Sequence, residues 1–173
     1  GSRDRAMLEF LYGCGLRVSE LCGLTLHDIN REQGFVRCWG KGGKERIVPA
    51  GSFALEAMEA YLAFSRPLLL AGQNTQALFV NQRGGPLSRS GLWRIVEGYG
   101  KRLGLDIHPH TLRHSAATHM LDNGADLRLL QEFLGHESIS STQVYTNLSK
   151  SELKSAYLRH HPRYKARVSQ QGD

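Results

Sequence analysis

A chain of 173 residues, 40% hydrophobic and 22% charged, is long enough to bury one core and reads most simply as a single domain. No signal peptide opens it, and no apolar run approaches the roughly 20 residues of a membrane span, Leu68-Leu69-Leu70 being far too short. A formal charge of +6 with a pI near 9.5 favours an anionic partner, nucleic acid among the candidates.

The opening Gly1-Ser2 reads as a cloning scar. Residues 4–14 then place Met7, Leu8, Leu11 and Tyr12 at helical spacing. After a break at Gly15, Val18, Leu21 and Cys22 repeat the period, with Ser19 and Glu20 on the opposite face. Asp28 to Gly34 predicts a turn. In GFVRCWGKGGKERIVPA, alternation on both sides of GKGG predicts a β-hairpin with a glycine-rich tip, ended by Pro49. Residues 53–64 form a helix closed by Arg66-Pro67, and Ala77 to Val80 a short apolar strand followed by a turn through Pro86. Ser88 caps a helix to about Leu103 that Gly98 and Gly100 loosen. Further helices cover 111–122, then Asp126 to Leu134 with Gly135 as terminator. A short one starts at Ser140 or Ser141 and runs through Tyr145. The last, 151–161, has Leu153, Ala156, Tyr157 and His160 on one face and stops at Pro162.

The expected fold class is therefore mainly α with a small antiparallel β-sheet. Residues 3–163 form the domain, and 164–173 a basic, mobile tail. Cys14, Cys22 and Cys38 are odd in number and lack CxxC spacing, so they read as free thiols packed as small hydrophobes in a reducing, cytoplasmic compartment. Tyr12 and Tyr61 read as core.

Two histidines, His110 and His114, flank Arg113 in PHTLRH. A zinc site would need an HExxH glutamate or a cysteine pair, and neither is near. A different chemistry fits more of the chain. Cleaving a phosphodiester without metal requires guanidinium groups for the non-bridging oxygens, a base for the attacking group and an acid for the departing oxygen. A nucleophile that stays attached would conserve the bond for rejoining. Arg17, Lys41, His110, Arg113, His136 and Tyr145 are candidates for these roles.

Five runs occur in one order: GLRVSEL (15–21), GKGGKER (40–46), HPHTLRHSAATHM (108–120), LGH (134–136) and TQVYT (142–146). Arg113 and His136 are 23 residues apart, and Tyr145 lies nine further on. Together the runs resemble the catalytic domain of the tyrosine recombinases, most closely the bacterial Xer-type resolvases, from Asp4 to about Arg163. Any one motif is weak; the ordered set is specific.

The resemblance implies that Arg17 and Arg113 clamp the scissile phosphate. It implies that Lys41, rather than Lys44 or Arg46, protonates the 5′-hydroxyl leaving group. His110 would serve as base or phosphate contact, His136 as a second phosphate contact, and Tyr145 as the nucleophile that forms a 3′-phosphotyrosyl link. No cofactor or metal is expected. The implied partners are double-stranded DNA, a homo- or hetero-tetramer on paired sites and a DNA-translocase activator. The C-terminal helix is expected to dock on a neighbouring protomer or on its own domain. The resemblance also implies an N-terminal core-binding domain that this chain is expected to lack, and weak, salt-sensitive DNA binding is expected in consequence. Mobile-element integrases, a type IB topoisomerase and a binding-only domain share parts of this pattern.

Overall fold

The computed structural model describes residues 1–135 and 150–163. Helix α1 (Ser2–Gly13) is the central element: Ala6, Met7, Phe10 and Leu11 are buried, at the spacing that puts one face of a helix inward. The short α2 (Val18–Cys22) follows the Gly15 turn. Three antiparallel strands, β1 (Ile29–Asn30), β2 (Phe35–Trp39) and β3 (Glu45–Pro49), form the sheet, with Val36 opposite Val48 and Cys38 opposite Arg46. The predicted hairpin is therefore present, and the residues expected only to turn at 28–34 add a two-residue strand to its edge. The tip, Lys41–Gly43, is a single 3-10 turn.

The helix expected to close at Arg66-Pro67 does not. It runs as α3 (Ser52–Ala60), passes through a π-helical turn at Tyr61–Ser65, and continues as α4 (Arg66–Leu70). In the π turn the Arg66 N–H bonds Tyr61 O, five residues back, and this wider register lets the chain pass Pro67, which has no N–H to give. Arg66 itself is buried and pins the next segment, its guanidinium donating to the carbonyls of Thr75, Ala77 and Leu78.

That bonding also explains why Ala77 to Val80 is not a strand. Leu78, Phe79 and Val80 are buried as expected, but side chains satisfy much of their backbone. Tyr61 donates to Leu78 O and accepts from the Val80 N–H, leaving only isolated bridges at Thr25–Ala77 and Val80–Pro86.

Helix α5 (Arg89–Leu103) starts where Ser88 accepts from the Gly91 N–H. Gly100 does not loosen it. A Cβ there would lie 2.7 Å from Leu105 O, so this glycine lets the returning chain pack against the helix. Helix α6 (Pro109–Asp122) and α7 (Leu127–Leu134, capped by Asp126 through the Leu129 N–H) follow as expected. The helix expected near Ser141–Tyr145 and the tail 164–173 lie outside the described residues.

Helix α8 (Lys150–His160) packs on its own domain, against β3 and α6. Leu153 and Tyr157 are buried, as is His161 just beyond the helix. His161 Nε2 bonds Tyr12 O at 3.1 Å, His160 Nδ1 bonds Asn123 O, and Arg163 pairs with Glu9 while lying over Phe53. Tyr12, expected in the core, is only half-buried, and its hydroxyl shares a 2.6 Å bond with His119 Nδ1. Tyr61 is fully buried as expected. Cys14 and Cys38 are buried free thiols, and Cys22 is half-buried.

Burial pushes the His161 imidazole down to about 4 from 6.5, against the opposing bond to Tyr12 O. In the unfolded chain it takes up a proton near pH 6.5; in the folded chain it resists until about pH 4. Stability is thus fully present above pH 6.5 and is lost as pH falls toward 4. Between pH 7 and 5 the chain should lose about 2 kcal/mol from this residue alone. Urea midpoints at the two pH values test this. His161→Gln should flatten the dependence, and an equally steep loss in that variant would place the effect elsewhere.

Candidate active site

Arg17 is the N-cap residue of α2, and Glu20 occupies the third helical position, where its carboxylate accepts the Arg17 backbone N–H at 2.9 Å. The spacing in GLRVSEL is thus a helix-start device, and it draws Glu20 inward. Expected on the outer face, Glu20 is 2% exposed, and its partner is Arg46, not the Arg17 side chain. Arg46 Nε and Nη2 reach the two carboxylate oxygens at 2.7 and 2.9 Å. Burial would raise the Glu20 carboxyl, but the Arg46 bonds, with the Arg17 N–H, overcome it and hold the group below the ordinary carboxylate range.

The three guanidinium groups converge on the end of α7. Arg17 Nη2 donates to Leu134 O at 3.1 Å, Arg113 Nη2 donates to the same carbonyl, and Arg46 Nη1 donates to Phe133 O at 3.0 Å. The Gly15 carbonyl takes the rest, from Arg113 Nε at 2.7 Å and Arg46 Nη2 at 3.2 Å. The last carbonyls of a helix have no partner within it and carry the negative end of its dipole, so cations settle there. Gly135 ends α7 at φ +79, a conformation that favours glycine, and lies 3.6 Å from Arg17 Nη2, measured from where its Cβ would be.

Among the described residues, the Arg17, Arg46 and Arg113 guanidinium groups lie close to the Glu20 carboxylate. Burial first, then Arg17 and Arg46, push the Arg113 guanidinium down to about 10 from 12.5. An anion at this surface would relieve that opposition.

His110 is on the first turn of α6 and exposed, its ring 5.3 Å from Trp93 and 5.6 Å from His108, centroid to centroid. His108, left unassigned by sequence, is the N-cap residue of α6, with Asp106 at 3.1 Å and Glu97 at 3.4 Å. His114, read as structural, is exposed on the next turn. Lys41 stands at the hairpin tip. His136 and Tyr145 lie outside the described residues. The structure thus brings together Arg17 and Arg113 and adds Arg46 and Glu20, which sequence reasoning left aside. The signal was available: Arg46 follows the hairpin turn, and Glu20 sits three residues after Arg17.

Among the described residues no group of three or more His, Cys, Asp or Glu side chains could hold a metal ion. Two clefts, about 490 Å³ beside the sheet and about 480 Å³ between α1 and α5, contain none of the predicted site residues.

The chain matches the phage integrase family over residues 1–152. It is 54% identical over 163 residues to the tyrosine recombinase XerD of Halalkalibacterium halodurans, covering 93% of this chain and 54% of that protein. The chain therefore spans about half the length of the curated relatives it matches. Among solved structures, the XerA recombinase superposes with a TM-score of 0.72 at 35% identity, over 94% of this chain and 60% of that one. The XerH site-specific recombinase bound to its difH substrate, in a pre-cleavage complex, superposes at 0.69 with 32% identity, over 91% of this chain and 46% of that one.

Proposed function

Since the chain belongs to the phage integrase family, whose members here include tyrosine recombinases, we propose that it is the catalytic part of a site-specific DNA recombinase with an Xer-type role. The observation that carries this reading is the convergence of Arg17 and Arg113 on the carbonyl of Leu134, the first residue of the LGH run.

In the proposed reaction the Tyr145 phenol attacks a scissile phosphate. Its proton passes to His110 or to water, the 3′-phosphotyrosyl bond forms, and the bond to the 5′-oxygen breaks. Lys41 at the hairpin tip gives that oxygen a proton, and the reverse sequence rejoins the strands. Arg17, Arg113 and His136 bear on the charge that builds on the non-bridging oxygens, which is where fixed donors contribute most. A phenol with a pKa near 10 needs this help at neutral pH. Nothing in the scheme calls for a metal or a nucleotide.

Double-stranded DNA is the proposed substrate, a reading supported by the similarity to the XerH site-specific recombinase bound to its difH substrate. Tetrameric assembly on paired sites, activation by a DNA translocase and a cytoplasmic setting belong to the same proposal. No described helix is long and apolar enough to cross a membrane.

The test is covalent trapping on a nicked duplex bearing a cognate-type site, at low salt and with chelator present. The chain should give a protease-sensitive adduct on the 3′ side, and Tyr145→Phe should give none. If this chain, joined to the N-terminal part of a full-length relative that itself traps the duplex, gives no adduct, the catalytic reading fails. Plasmid relaxation with no recombinant product would instead favour the topoisomerase chemistry.

A further inference from the structure

Phe133, in the last turn of α7, is fully buried. One side of its ring covers Gly15 so closely that a Cβ there would sit 2.4 to 2.8 Å from three ring carbons. Gly15 supplies the carbonyl that holds Arg113 Nε and Arg46 Nη2, while α7 supplies the carbonyls that hold Arg17, Arg46 and Arg113. A single ring therefore braces both backbone segments on which the guanidinium cluster rests.

Phe133 is backed in turn by the C-terminal helix. The Tyr157 ring lies 5.7 Å away and the His161 ring 6.0 Å, centroid to centroid, and those two rings stack 3° from parallel. Tyr157 is fully buried.

We infer that Phe133 is a positioning residue for the guanidinium cluster, held by Tyr157 and His161, so that docking of α8 fixes the geometry of Arg113 and Arg46. The physical ground is close packing. A fully buried ring between two backbone segments cannot lose its backing without letting those segments move, and carbonyl acceptors that drift by about 1 Å misplace the donors that face the phosphate. The phosphate role rests on the function proposed above; the bracing does not.

The test reads the arginines directly. In 15N-labelled chain, hydrogen exchange of the Arg113 and Arg46 Nε–H groups is followed by NMR in the parent, Phe133→Leu, Tyr157→Leu and Tyr157→Phe. Both leucine variants should speed exchange at Arg113 about tenfold or more while the backbone amides of α3 keep parental rates. Tyr157→Phe, which keeps the ring, should stay within about twofold of the parent. On a nicked duplex at saturation, Phe133→Leu should lower the single-turnover adduct rate about tenfold or more, with half-saturating DNA changed less than about threefold.

Unchanged Nε–H exchange in both leucine variants overturns the inference. Acceleration of the α3 amides in step with Arg113 overturns it too, because that marks general loosening. A parent that forms no adduct speaks against the proposed function, and the exchange measurement still decides the bracing.

Discussion

Arg113→Met is expected to abolish measurable strand cleavage while leaving the fold as stable as the parent, or more so. The loss of rate follows from charge. A donor aimed at oxygens that gain charge in the transition state contributes about 2.7–4 kcal/mol, or a factor of roughly 100 to 1,000, and Arg113 offers more than one N–H. The effect on stability follows from burial. A guanidinium held at about 10 rather than 12.5 is opposed in its charged form by at most roughly 3 kcal/mol, less what solvent screening removes at this half-buried site. The sign is that of a depressed base: up to pH 10 both folded and unfolded chains keep the proton, so the opposition is felt in full at neutral pH.

Removing the side chain also strands little. Gly15 O still accepts from Arg46 Nη2, and Leu134 O still accepts from Arg17 Nη2. Methionine fills similar space with a flexible apolar chain. Denaturant midpoints of parent and variant, beside single-turnover cleavage of a nicked duplex, measure both halves. A variant that keeps more than about a tenth of the cleavage rate, or that loses more than about 2 kcal/mol, contradicts this account.

This opposition between activity and stability explains what was legible in the sequence and what was not. Helix periods, caps and the hairpin were readable because each is local: Ser88 and Asp126 cap the helices they precede, and alternation on either side of GKGG gives β2 and β3. Arg17 and Arg113 were singled out because the order of the motifs resembles a family, but the acceptor they share, Leu134 O, lies 117 and 21 positions away from them and could not be read from spacing. Glu20 was misread because α2 is a single short turn, so a two-face reading had too few residues to use. The missed passage through Pro67 has a similar cause. Proline ends an α-helix by removing one bond in a fixed register, and the π turn at Tyr61–Ser65 changes the register. Segment 77–80 was recognised as core and misassigned as strand, because an extended buried backbone can be satisfied by Tyr61 and Arg66 side chains instead of a ladder.

Glu20 is the residue whose loss should cost the fold most. Its carboxylate holds the Arg46 guanidinium through two short bonds while accepting the Arg17 backbone N–H. Breaking a buried pair by removing one partner costs about 3–5 kcal/mol, because the other charge stays behind. Glu20→Gln keeps the shape and one acceptor but takes from Arg46, beside Arg17 and Arg113, the carboxylate charge that holds it. A fall in melting temperature of roughly 10 °C is expected for a chain of this size.

The double variant Glu20→Leu with Arg46→Met should recover more than half of what Glu20→Leu alone loses, since the stranded charge goes too. Acidity supplies an independent check with a definite sign. The Glu20 carboxyl is held below its unfolded value, so its contribution is present above about pH 4.3 and is lost as pH falls below that. The parent should therefore show two acid losses, one between pH 6.5 and 4 from His161 and a further one below it from Glu20. Glu20→Gln should erase the lower and keep the upper. Additive losses in the double variant, or an unchanged profile below pH 4 in Glu20→Gln, would mean that Glu20 is not what holds the cluster together.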